Sequence, residues 1–251
     1  MDRNPTKDTM TGFASLFQGG SMAQSLPDGG FYPMESPDGL FYPATGEGYE
    51  RAIEGHLRRD GESIGVYPLM AVHGQDGALE GFTVWWGCVD WDEGREASFI
   101  HAKNVHEVLA QIGIKGWVER SRSKGYHLWV FFTEPLAARI VRDGLIGICN
   151  VVGAPTKEVN PKQISLVGKK IGNGMRLPYP ALRDPGQHEM LNPKATYSQI
   201  PTADSFVADA LETRITAEQW DAAHALYKKH EQPPMRRPSH SYTGRRLHGS
   251  A

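Results

Sequence analysis

Residues 81–92 read GFTVWWGCVDWD, a nearly unbroken run of aromatic and β-branched residues with the character of a β-strand. Side chains alternate across a strand, so the end of this run sets Val89 and Trp91 toward a core and Asp90 and Asp92 side by side on the opposite face. Two carboxylates then share one small volume. Both stay ionised only with positive charge between them, and a divalent cation is the usual means. An isolated Asp-x-Asp also suits an exposed strand end with two solvated aspartates, so the rest of the chain has to decide.

Two further stretches bear on that choice. Residues 119–132, ERSRSKGYHLWVFF, run a small basic turn into an apolar strand. Ser121, Ser123, Lys124 and Gly125 offer hydroxyls, backbone N–H groups and an ammonium, a set suited to a polyphosphate, and His127 adds a donor at the strand mouth. The same residues also make an ordinary hairpin turn with a structural histidine. They are no Walker motif, because no helix follows the lysine. Residues 157–180, KEVNPKQISLVGKKIGNGMRLPYP, read as a strand and loop region: Glu158 offers another oxygen ligand, Lys162 and Arg176 suit a phosphate or a carboxylate, and the glycines around Asn173 allow close backbone approach. Each of these alone is an ordinary loop residue.

The chain of 251 residues suits one catalytic domain with tails. Its net charge of −2 excludes coating nucleic acid through bulk positive charge, so such a partner would be met by a local patch. Cys88 and Cys149 match no paired metal-ligand spacing and read as buried reduced thiols, which points to the cytosol. No apolar run approaches the roughly 20 residues of a membrane span, and no signal-peptide layout opens the sequence. Residues 1–45, with the near repeat PDGGFYPM and PDGLFYPA, are expected to be a flexible or packed arm. Residues 46–200 are expected to be the catalytic domain, 201–231 helices packed on or following it, and 232–251 a disordered basic tail.

Within the core, GEGYERAIEGHL reads as a helix, SIGVYPLMAV as one strand, and GWVERSRSKGYHLWVFF as another. Asn104 and Glu107 form a capping box that predicts a helix to about Gly113, and TEPLAARIVRDGLIGI predicts one with Leu136, Ile140 and Val141 on a single side. Thr216 with Gln219 caps a last amphipathic helix carrying Trp220, Ala223, Leu226 and Tyr227.

The ordered set of motifs, Asp-x-Asp, then a Ser/Lys/Gly turn leading to His127, then an acid-bearing strand followed by GNGMRLPY, resembles the catalytic core of the archaeo-eukaryotic primase superfamily, which includes the primase-polymerases. HLRRDGESIGVYPLM, CVDWD and VERSRSKGYHLWVFF look like the primase domains of bacterial mobile elements, phages and conflict systems. SRSKGYHLW is also similar to the matching turn in the polymerase domains of bacterial end-joining ligases. The resemblance covers residues 53–180.

It implies an α/β (α+β) fold with a mixed, largely antiparallel sheet, an N-terminal α/β portion and C-terminal helices. Asp90 and Asp92 would bind two divalent ions, Mg2+ or Mn2+, and Ser121, Ser123, Lys124, Gly125 and His127 would hold a nucleoside triphosphate, with Lys162 and Arg176 beside it. Relatives often carry an aspartate after the Pro-x-Gln of the third region, where this chain has Ile164 and then Ser165, so Glu158 is taken as the third acid. The implied activity is template-directed synthesis or extension of primers on single-stranded DNA from dNTPs or NTPs, by a monomer in the cytoplasm of a bacterial host. Basic residues Arg120, Arg122, Lys169 and Lys170 and the aromatics Trp117 and Tyr179 are candidates for the template strand. A helicase motif does not occur in the sequence, so unwinding would come from a replicative helicase in cis or in trans. A gap-filling polymerase and a non-catalytic nucleic-acid-binding module are the competing readings.

Overall fold

The structure, a computed structural model, describes residues 5–26, 30–58, 62–122, 124–180 and 187–231. Helix α1 is Lys7–Leu16, with the Thr6 side chain accepting from the Thr9 N–H at 3.1 Å as its cap. Strands β1 (Ser21–Ser25) and β2 (Phe31–Pro33) pair antiparallel and lead to helix α2 (Gly46–Leu57) and strands β3 (Ser63–Tyr67) and β4 (Met70–His73). The long strand β5 is Leu79–Trp91, and helix α3 is Arg95–Gln111. Strands β6 (Trp117–Arg120) and β7 (Tyr126–Ala137) form a hairpin, followed by helix α4 (Ala138–Val151). Two-residue strands β8 (Val159–Asn160) and β9 (Met175–Arg176), strands β10 (Glu189–Asn192) and β11 (Ser198–Ile200), and helices α5 (Ala203–Glu212) and α6 (Ala217–His230) complete the described chain.

The strands form two sheets. The smaller has the order β2-β1-β3-β9; the larger has β11-β10-β6-β7-β5-β4, with β8 also bonded to β5. All pairings between these strands are antiparallel. This is an α+β fold. The central strands of the larger sheet are apolar on both sides because both sides are covered. Val89, Trp91, Leu128, Val130 and Phe132 pack with residues of α3, α4 and α6, whereas Trp86, Cys88, Trp129 and Phe131 pack with α1, α2, α5 and the smaller sheet. Cys88 and Cys149 are buried free thiols. Among the described residues no helix is long and apolar enough to cross a membrane.

Several sequence-based expectations change here. Of the two readings of residues 1–45, the packed one holds for helix α1, which is part of the core and not a flexible arm: Phe13 and Phe17 are fully buried, and Phe17 meets Trp129 and Phe131 edge-on at 5.2 and 5.0 Å. Met10, Phe13 and Phe17 recur at helical spacing, a stripe hidden by the glycine and proline around it. The Pro-Asp-Gly of the first repeat, residues 27–29, lies outside the described residues; at the second, the Ser36 N–H donates to the Leu40 carbonyl at 2.8 Å and Gly39 adopts φ 79°. SIGVYPLMAV is two strands in different sheets, separated at Pro68, which has no N–H for a ladder. Helix α3 begins at Arg95, nine residues before Asn104, so Asn104 is interior and the true N-cap is Gly94. Leu136 belongs to β7, and α4 starts two residues after it. The capping box at Thr216 is present, with the Gln219 side chain accepting from the Thr216 N–H at 2.8 Å. Residues 232–251 lie outside the described residues.

Candidate active site

The hairpin register pairs Glu119 with His127, and the neighbouring register pairs His127 with Asp90. Paired residues of antiparallel strands project to the same face, so three titratable side chains form a row across β6, β7 and β5. That face is the one covered by the N-terminal helices and the smaller sheet, and the row sits at its open end.

Glu119 is fully buried and accepts three hydrogen bonds: from His127 Nδ1 at 2.8 Å, Trp129 Nε1 at 2.7 Å and His188 Nδ1 at 3.3 Å. Burial works against its ionisation, but the charge of His127 and the hydrogen bonds from His127 and His188 outweigh burial and bring its pKa down to about 2. Burial likewise opposes a charge on His127, yet the Glu119 and Asp90 carboxylates hold its pKa well above the ordinary histidine value. His127 is thus an imidazolium that spends Nδ1 on Glu119 and turns Nε2 toward Asp90, 3.4 Å from Oδ1. That distance allows attraction but not a well-formed hydrogen bond. Asp90 Oδ1 is buried and has no hydrogen-bond partner among the described residues. A buried carboxylate oxygen that takes part in an ion pair but accepts no hydrogen bond retains capacity for a further donor or cation.

The row opens into a cavity of about 320 Å³ lined by Phe31, Asp90, Asp92, Ser121, Arg122, His127, Gly174, Met175, Arg176 and His188. Strands of the larger sheet supply Asp90 and His127, the residues flanking its strand ends supply Asp92 and His188, and the smaller sheet supplies Phe31 and Arg176. Arg176 donates through Nε to Ser25 Oγ at 2.7 Å, and its guanidinium lies 5.7 Å from the centre of the Phe31 ring. Gly125 explains the composition of the turn. A Cβ there would lie 2.3 Å from Asp92 Oδ1 and 2.5 Å from the Trp91 carbonyl oxygen, so only glycine lets the turn pass the acidic strand end.

A family model described as the archaeo-eukaryotic primase domain of TOTE conflict systems matches residues 45–187, more than half of the chain. The chain belongs to this family. The polymerase domain of Mycobacterium tuberculosis Ligase D in complex with DNA is similar at 17% identity and a TM-score of 0.47, over 86% of this chain and 91% of that one. Comparison with curated proteins returned no match.

In this primase domain the fold gathers Asp90, Asp92, Ser121, His127 and Arg176 around one space and leaves other expected residues outside it. Lys124 is exposed on the turn and does not line the cavity, and Ser123 lies outside the described residues. Glu158 is the backbone neighbour of Asp90, whose N–H donates to the Glu158 carbonyl at 3.2 Å, but its carboxylate is paired with Lys162 and neither side chain lines the cavity. Among the described residues no group of three or more His, Cys, Asp or Glu has the arrangement of a metal centre. The Asp90–Asp92 pair nevertheless suits a divalent ion through the Asp90 Oδ1 atom, which has no hydrogen-bond partner among the described residues.

Trp117 and Tyr179 are core residues, each 2% exposed, and are not stacking platforms; Trp117 packs on Phe206 and the Tyr179 hydroxyl donates to the Ile200 carbonyl at 3.0 Å. Arg122 does line the cavity, and Lys169 and Lys170 are exposed. Sequence reasoning missed Glu119, His188 and Phe31. For Glu119 a signal existed: once residues 121–125 are read as a turn, counting back along the hairpin sets 119 opposite 127. His188 carries no local signal, being 61 residues beyond His127 in a segment without a motif.

Proposed function

We propose that the chain is a primase-polymerase that joins nucleotides on a single-stranded DNA template, with the cavity as its nucleotidyl-transfer site. The observation that carries this reading is the buried Asp90 oxygen, without a hydrogen-bond partner among the described residues, facing the His127 imidazolium in a cavity that also holds Asp92, Arg122 and Arg176. Acids on one side and cations on the other match what phosphoryl transfer needs, which is mainly positioning and charge stabilisation.

Asp90 and Asp92 are the residues that would hold Mg2+ or Mn2+, and Glu158, once released from Lys162, is the third acid of this reading. A bound divalent ion supplies activation of a primer hydroxyl and neutralisation of the departing pyrophosphate. His127 and the guanidinium groups of Arg122 and Arg176 bind and orient the triphosphate, and Ser121 offers its hydroxyl beside them. Glu119 keeps His127 charged and its ring fixed. Lys124, exposed on the same turn, is a contact for the outer phosphates or the DNA backbone. A replicative helicase, in cis or in trans, is the partner that would open duplex ahead of the site.

The test is incubation with unprimed single-stranded DNA, labelled dNTPs or NTPs and each metal in turn, comparing the wild type with Asp90→Ala. Metal-dependent oligomers made by the wild type and absent from the variant are expected. Extension of primed strands alone would mean a gap-filling polymerase. DNA binding without any incorporation would refute catalysis.

A further inference from the structure

His188 is used by nothing in the reading above except as a donor to Glu119, and it lies one residue beyond the span matched by the family model. Its ring lines the cavity and also an adjoining smaller one, in both cases together with Arg122 and Arg176. The residue is held hard in place. Its backbone has φ 53°, the left-handed region that non-glycine residues rarely enter, and is fixed by main-chain bonds of 2.7 Å to Arg120 on one side and Tyr179 on the other.

The tautomer follows from the partner. Glu119 is ionised and can only accept, so the 3.3 Å contact places a proton on His188 Nδ1. With the Nδ1 proton directed at Glu119, the ring turns Nε2 to the cavity as its acceptor position, and among the described residues no hydrogen bond occupies that atom. In the proposed function the two arginines serve anionic oxygens. An acceptor nitrogen lining the same two cavities selects a different chemistry, a hydroxyl that donates.

Resting on the nucleotidyl-transfer reading, we propose that His188 is a specificity-determining residue whose Nε2 accepts a hydrogen bond from a sugar hydroxyl of the bound nucleotide. Glu119 then orients two imidazoles with opposite tasks: His127 donates to phosphate, and His188 accepts from the sugar.

The experiment measures binding of cytidine triphosphate and its 2′,3′-dideoxy counterpart, with Mg2+ and no template, to the wild type, His188→Gly and His188→Asn. Glycine and asparagine both tolerate the left-handed backbone, and asparagine keeps an accepting carbonyl. The wild type is expected to prefer the ribonucleotide by about tenfold, the size of one well-placed hydrogen bond in a buried site. His188→Gly should bring the ratio of the two affinities to about one, whatever it does to the affinity for both nucleotides, and His188→Asn should recover part of the ratio. Retained discrimination in His188→Gly, or equal binding of the two nucleotides by the wild type, overturns the role of His188 alone. Failure of the wild type to bind either nucleotide overturns the nucleotidyl-transfer reading as well. Should His188→Gly not fold, the Nε2 resonance of the wild-type His188 provides the readout: it should move with the ribonucleotide and not with the dideoxy analogue, and equal movement with both refutes the contact.

Discussion

Replacing Glu119 by Gln removes one negative charge from the centre of the row while keeping the shape of the side chain and one accepting oxygen. The cost can be worked from the carboxyl itself. Its pKa falls from 4.5 to about 2 on folding, and at about 1.4 kcal/mol per pH unit this is about 3 kcal/mol of stability at neutral pH. The side chain is fully buried, so solvent does not screen that contribution. The same interaction raises His127, and is therefore counted once. An independent expectation agrees: removing one partner of a buried pair costs about 3–5 kcal/mol, because the other charge is left stranded.

The sign sets the pH window. A group whose folded pKa is depressed stabilises the fold above its unfolded value and loses that contribution as pH falls toward the folded value. The gap between wild type and Glu119→Gln should be full at pH 7 and shrink as pH drops from 4.5 toward about 2. Urea unfolding across that range measures it, and the His127 imidazole resonance should show a lowered pKa in the variant. A difference below about 1 kcal/mol at pH 7, or one that does not change with pH, would refute the account of Glu119 as the anchor of a charged histidine.

Gly125→Ala should cut nucleotide incorporation at least tenfold while costing about 1–3 kcal/mol in a denaturant melt, because the new methyl falls against Asp92 and the Trp91 carbonyl; unchanged activity would show that the turn has room to move. Phe17→Ala should destabilise the whole domain by about 3–5 kcal/mol in the same melt, since the ring is fully buried against Trp129 and Phe131; a loss under about 1 kcal/mol would return the N-terminal segment to the status of a detachable arm.

The parts of the site legible in the sequence are those set by local rules. Period-two alternation put Asp90 and Asp92 together, and a turn-forming glycine before an apolar strand marked the loop that lies against them. The last helix was readable from its capping box for the same reason, as Thr216 and Gln219 need only each other. Local rules also misled. An Asn-x-x-Glu inside α3 imitates a helix start, because a capping pair has the same spacing as two residues one turn apart. Glu158 looked like a free acid, yet Lys162, four residues on, takes its carboxylate. Trp117 and Tyr179 looked like platforms, yet both are core, since aromatic type alone does not tell a stacking surface from a packed interior.

The sequence by itself determined the identity of the central strands, the acidic pair and the family, because each is written in short-range spacing that any fold containing those strands must respect. Tertiary structure alone decided which groups meet those acids. Ser25, Phe31, Arg176 and His188 come from segments up to 163 residues apart along the chain, and strand order together with the packing of one sheet over the other brings them to the same end of one face. Charge follows the same division. Nothing local makes Glu119 an ion or His127 a cation; each is charged because burial beside the other leaves a neutral pair less favourable than a paired one.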